Sequence, residues 1–166
     1  MVSRMLDITE ISAIGAAAGV LVGVVLTVIE LRNLVKQRKS DLLMRLHLAF
    51  STRETSEAVL KYLSVEYKDY DDFVEKYGLP FAEGPVQTAF VMIGNFFEGI
   101  GVLLKRRLVE IELVNELFAV EMFWLKMKPL IEGMRKQSNN PQILEWFEYL
   151  FNETKKREQK LQQSKA

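Results

Sequence analysis

The chain has no cysteine and a single histidine, His47, among its 166 residues. Without thiols there are no disulfides, thiolate zinc sites or cysteine nucleophiles. One imidazole rules out any site that needs two, including the paired Glu-x-x-His ligands of a carboxylate-bridged di-metal bundle. Net charge is missing as well, since 22 Lys and Arg offset 22 Asp and Glu. A dedicated nucleic-acid binder would instead rest on many unpaired cations. No GxSxG elbow, Walker-type loop or dinucleotide glycine loop occurs. Glu110, Glu112, Glu116 and Glu121 are not spaced as one ligand face and read as solvated positions. The expectation is a protein that is not an enzyme, with no catalytic residue, metal or cofactor.

A local absence is more informative. Residues 11–29, ISAIGAAAGVLVGVVLTVI, hold no charged side chain. As a helix this stretch covers about 28 Å, close to the thickness of a bilayer's hydrocarbon core. A buried core helix of that length would carry some polar residue on an outward face. A signal peptide would have a basic leader, a shorter apolar stretch and a small-residue cleavage site. The reading is a retained transmembrane helix. Arg4 precedes it, whereas Arg32, Lys36, Arg38 and Lys39 follow within ten residues. The positive-inside preference then places residues 1–10 outside and residues 30–166 in the cytoplasm, making a single-pass protein of the cell membrane.

Neither glycine nor proline occurs in residues 24–77. Leu31, Leu34, Val35, Leu42, Leu46 and Ala49 continue an apolar stripe, so the helix should run on through a juxtamembrane stem, residues 30–50. A bundle of about four to five helices follows over residues 51–152. Ser51-Thr52-Arg53-Glu54 reads as a capping box opening a helix over 53–65 that turns Ala58, Val59, Tyr62 and Leu63 inward. A short helix over 70–77 stops at Gly78, and residues 78–85, GLPFAEGP, form a loop. Pro85 starts a helix to about residue 105. One helix is expected over 110–136, with Pro129 kinking rather than ending it. Asn139-Asn140-Pro141 should cap and open the last helix. Beyond Asn152 the polar tail, residues 153–166, should fray into solvent. There is no strand alternation, repeat or low-complexity linker, so the fold class is all-α.

Residues 86–104 pose the question of a second span. Asn95 and Glu98 lie near the middle of that run, where a carboxylate costs at least about 2.5 kcal/mol in a bilayer. A second crossing would also export Lys105, Arg106 and Arg107. The run therefore reads as the central core helix. Asn95 and Glu98 become a buried polar pair within it, with Lys126, Arg107 or Arg45 as candidate charge partners. Gly94, Gly99 and Gly101 mark close approach of another helix, and Trp124 and Trp146 read as core.

LRNLVKQRKSDLLMRLHLAF after the span, NFFEGIGVLLKRRLVE, WLKMKPLIEGMRK and NNPQILEWFEYLF follow in that order. With these features the chain resembles an uncharacterised prokaryotic family of small single-span membrane proteins with a helical cytoplasmic domain. The resemblance implies the architecture and supplies no activity.

Four features remain as candidates for function. Gly15, Gly19, Gly23 and Thr27 fall at four-residue spacing, a ridge of small residues that lets another helix approach closely in lipid. Glycine is also simply common in spans. Arg32, Lys36, Arg38, Lys39 and Arg45 would hold anionic headgroups at about 1 kcal/mol per cation, or serve as a topology signal alone. Residues 53–83 carry eight acids against four bases, a run more usual as a solvated face. Asn95 and Glu98 would form a polar switch or a satisfied core network. The expected partners are membrane lipid, further copies or another membrane subunit through the span, and a cytoplasmic protein. The expected function is a non-enzymatic, membrane-anchored interaction protein that self-associates or serves as an accessory subunit. Alternatives are an oligomeric pore with a hydrophobic gate, which lacks any charged or amide ring to select ions, and an anionic-lipid surface sensor.

Overall fold

The computed structural model describes residues 8–164, and among them there are seven α-helices and no strand. The flank bearing Arg4, which sets the expected orientation, lies outside the described residues. The chain forms two compact units that divide between Lys39 and Ser40. The last part of the predicted stem, residues 40–50, thus clusters with the bundle.

The first helix, α1 (Ile8–Phe50), crosses that boundary without interruption, as expected where glycine and proline are missing. From Gly15 to Arg38 its side chains are open to solvent: Leu21 is 67% and Val25 57% exposed. Among the described residues two helices are long and apolar enough to cross a membrane, α1 and the helix beginning at Pro85. The most apolar window of α1 has none of its residues buried in the protein, against half for the other.

In the second unit, α2 (Arg53–Leu63) opens on Thr52, whose side chain accepts from the Thr55 amide at 3.2 Å. The cap is therefore one residue later than the expected capping box. Ser51 instead closes α1, its hydroxyl donating to the His47 carbonyl at 2.8 Å. The helix α3 (Tyr70–Tyr77) opens on Asp69, which accepts from the Asp72 amide, and stops at Gly78, whose φ of 86° suits a residue without Cβ. The side chain of Gln87 donates to the Tyr77 carbonyl and fastens the following loop to α4 (Pro85–Lys105).

Helix α4 is the centre of the bundle. Val86, Phe90, Ile93, Phe97 and Ile100 recur at three- and four-residue spacing and are buried. Their face packs against α2 and the last helix, α7 (Glu145–Gln163). Phe97 stacks on Phe147 at 4.8 Å and meets Phe123 at 5.1 Å. A Cβ at Gly101 would overlap the backbone carbonyl of Trp146, so α7 approaches α4 where only glycine fits. Gly94 is also in contact, with Leu144 and Met127, but Gly99 faces open space. Trp124 is core as expected, whereas Trp146 is half-buried under the Lys105 ammonium.

Where one helix was expected over 110–136 there are two, α5 (Ile111–Leu117) and α6 (Val120–Ser138). Phe118 is extended between them. The break turns its ring in against His47, Phe50, Phe96 and Phe97, an edge-on cluster that offsets the lost helical bonds. Helix α6 continues through Pro129 and ends at Asn139, which takes the left-handed conformation at φ 48°.

The last helix departs from expectation at both ends. It starts at Glu145 rather than at Pro141, preceded by Leu144 at φ 53°. The residues beyond Asn152 remain helical to Gln163 rather than fraying. Thr154 is buried and donates to Asn115 at 2.9 Å; Lys155 pairs with Glu121 at 2.5 Å and Arg157 with Glu112 at 3.6 Å. The polar tail has lost its apolar face, but a polar face replaces it.

Candidate functional site

Gly15, Gly19, Gly23 and Thr27 all lie on α1. Ideal Cβ atoms at Gly15, Gly19 and Gly23 would meet nothing within 4 Å. Thr27 donates to the Gly23 carbonyl at 2.8 Å, which satisfies its hydroxyl within its own helix. Among the described residues nothing fills the ridge, so a second helix has room to lie along it. Just beyond, Arg32, Lys36 and Arg38 are exposed and Lys39 is half-buried. Val28, Leu31 and Val35 line a shallow apolar depression beside Arg32. Arg45, in the second unit, pairs with Asp41 at 3.0 Å.

Asn95 and Glu98 are not a buried pair. Asn95 is exposed and Glu98 only half-buried, because the buried face of α4 runs through Gly94, Phe97 and Gly101 and leaves these two at its edge. None of the three expected cations is the partner of Glu98. Its carboxylate accepts from the backbone amide of Phe147 at 2.8 Å, and the neighbouring Trp146 amide also favours its charged form. Leu144 provides no side-chain cap for α7, so a carboxylate from α4 does that work from outside the helix. Burial pushes the Glu98 carboxyl above the ordinary glutamate value and Glu145 adds to the rise, while the two amides and Arg135 oppose it. Lys126 is engaged elsewhere: its ammonium donates to the Val65 carbonyl, over the ring of Tyr67.

A cleft of about 250 Å³ opens beside Glu98. Phe81, Phe90, Val91 and Met134 form its apolar wall, with Asn95 and Glu98 at the polar side. Phe81 comes from the loop between α3 and α4 and is 71% exposed. The turn before α7 closes the far side and is held by Arg135. That guanidinium donates to the Ile143 carbonyl at 2.9 Å and pairs with Glu148 at 2.6 Å. Neither Arg135 nor Phe81 stood out in the sequence. Both act through residues far along the chain, and only the double proline-glycine loop gave any sign that Phe81 would be displayed.

A second polar network ties the loop after α2 to α6. Tyr67 donates to the Lys126 carbonyl at 2.5 Å, so the hydrogen in its 2.5 Å contact with Tyr62 comes from Tyr62. Burial raises both phenols, Tyr67 to about 12. Neither would ionise near neutral pH, and the pair is structural. Among the described residues, no group of three or more His, Cys, Asp or Glu side chains is placed to hold a metal ion.

With this geometry in view, the family model described as Domain of unknown function (DUF4760) matches residues 13–154. The chain belongs to that family. The match takes in the glycine ridge, the basic stem, Glu98 with its cleft, and α7 as far as Thr154. No curated protein and no solved structure matches the DUF4760 chain.

Proposed function

We propose that this DUF4760 protein is a non-enzymatic, single-span protein of a prokaryotic cell membrane that assembles through its first helix. It would form homo-oligomers or join a larger membrane complex, with residues 30–166 on the cytoplasmic side as the platform for a protein partner. The observation that carries this reading is the bare ridge of Gly15, Gly19 and Gly23 on a stretch of α1 whose most apolar window has no buried residue. In lipid, helix association is driven by close packing rather than by apolar burial, and small residues in register permit it. Exposed Arg32, Lys36 and Arg38 fit contact with anionic headgroups at the cytoplasmic surface.

The test is the mass and composition of the complex after mild solubilisation, for the wild type, for Gly19→Leu, and for Gly15 and Gly23 both changed to Leu. The expected result is a defined assembly that dissociates in both variants while the bundle stays folded. An assembly of unchanged size and composition in both overturns the proposal.

A further inference from the structure

The cleft beside Glu98 has a chemistry that the assembly reading does not use. Its wall is aromatic and aliphatic, and no lysine or arginine lines it. Its one charged lining group is a half-buried carboxylate. Among the described residues, no cation forms an ion pair with Glu98. Arg135, the cation nearest in effect, is committed to Glu148 and to the carbonyls of Ile143 and Leu144. Glu145 adds a further negative charge to the surroundings. The surroundings of Glu98 thus hold a second carboxylate, while the nearby guanidinium is paired with a third.

We propose that this cleft binds a small organic cation, a primary ammonium group on a compact apolar body. The ammonium would sit against the Glu98 carboxylate, with the Asn95 side-chain oxygen as a further acceptor at the mouth. The apolar body would lie against Phe90, Val91 and Met134. Phe81 offers a ring face over which a cation is also favoured. A neutral ligand of the same shape gains the apolar contacts but leaves the carboxylate without a counter-charge. A cation beside Glu98 opposes the upward push of burial on its carboxyl, so binding strengthens as the carboxyl ionises. The site lies wholly within the second unit and does not depend on how α1 assembles.

The experiment uses the full chain in phosphatidylcholine nanodiscs, titrated with benzylamine and, separately, with benzyl alcohol. The reporter is the Phe147 amide resonance, because that N–H bonds directly to Glu98. At pH 7 benzylamine should shift it and bind about tenfold tighter than the alcohol, as a charge-assisted hydrogen bond implies. Glu98→Gln should bring the two ligands within about twofold of each other. Phe81→Ala, at a largely exposed position, should weaken both. Should Glu98→Gln fail to fold, the wild type decides: its preference for the amine should collapse between pH 7 and pH 4. Equal affinity for amine and alcohol at pH 7, no shift at Phe147, or a preference that survives at pH 4 overturns the proposal.

Discussion

Residues 11–29 and 86–104 are apolar runs of equal length, and both lie on helices that length and composition would allow to cross a membrane. Their surroundings are opposite. From Gly15 to Ile29 the side chains of α1 are exposed, whereas half of the corresponding window of α4 is buried among its neighbours. The glycines show the same contrast, with open space around Gly15, Gly19 and Gly23 and a backbone carbonyl against Gly101. Hydropathy does not separate the two runs. What separates them is how strongly the apolar residues favour one face, markedly in α4 and hardly in α1.

The contrast is sharpest in its effect on stability. Phe97→Ala should cost about 3–5 kcal/mol, since a fully buried ring stacked on Phe147 is lost. Val24→Ala in α1 should leave the bundle's unfolding midpoint unchanged; denaturant unfolding followed by Trp124 fluorescence compares them. Gly101→Ala should cost about 1–3 kcal/mol, because the obstructing atoms are backbone and α7 must shift. Gly19→Ala should change bundle stability by less than about 0.5 kcal/mol. Equal effects of the two glycine substitutions would remove the distinction. The smallest expected effect belongs to Glu98→Gln. Because the folded carboxyl is raised, ionisation opposes folding, and its favourable contribution is full below the unfolded value of about 4.3. That contribution fades as pH rises through the folded value. Wild-type stability measured relative to Glu98→Gln should therefore fall between pH 4 and pH 7, and a rise would contradict the burial.

Local signals were legible and remote ones were not. The uninterrupted α1, the Gly78 stop of α3 and the Pro85 start of α4 follow from residues within a few positions of the feature. The break at Phe118 does not, because apolar spacing continues across it and only the distant His47 and Phe96 rings reveal why the chain turns there. Leu144 in the left-handed region runs against its own preference and is held by Arg135 and the Glu98 bond to the next turn. The tail misled for a related reason. Lys155 and Arg157 look solvated beside their sequence neighbours, yet their carboxylate partners are on α5 and α6. At the candidate cleft, Glu98 was identified but its role was not, since a carboxylate bonded to another helix's amides leaves no mark in either segment.

That bond gives the bundle a direction in time. The acceptor for the first amides of α7 lies 49 residues before Phe147. At about 5–20 residues per second, a ribosome delivers α4 some seconds before α7 is complete. Helix α7 has no side-chain cap of its own, and isolated helices of its size are marginal in water. The final helix therefore arrives at a surface that already holds its missing cap, and it is recruited by the rest of the bundle rather than nucleating it.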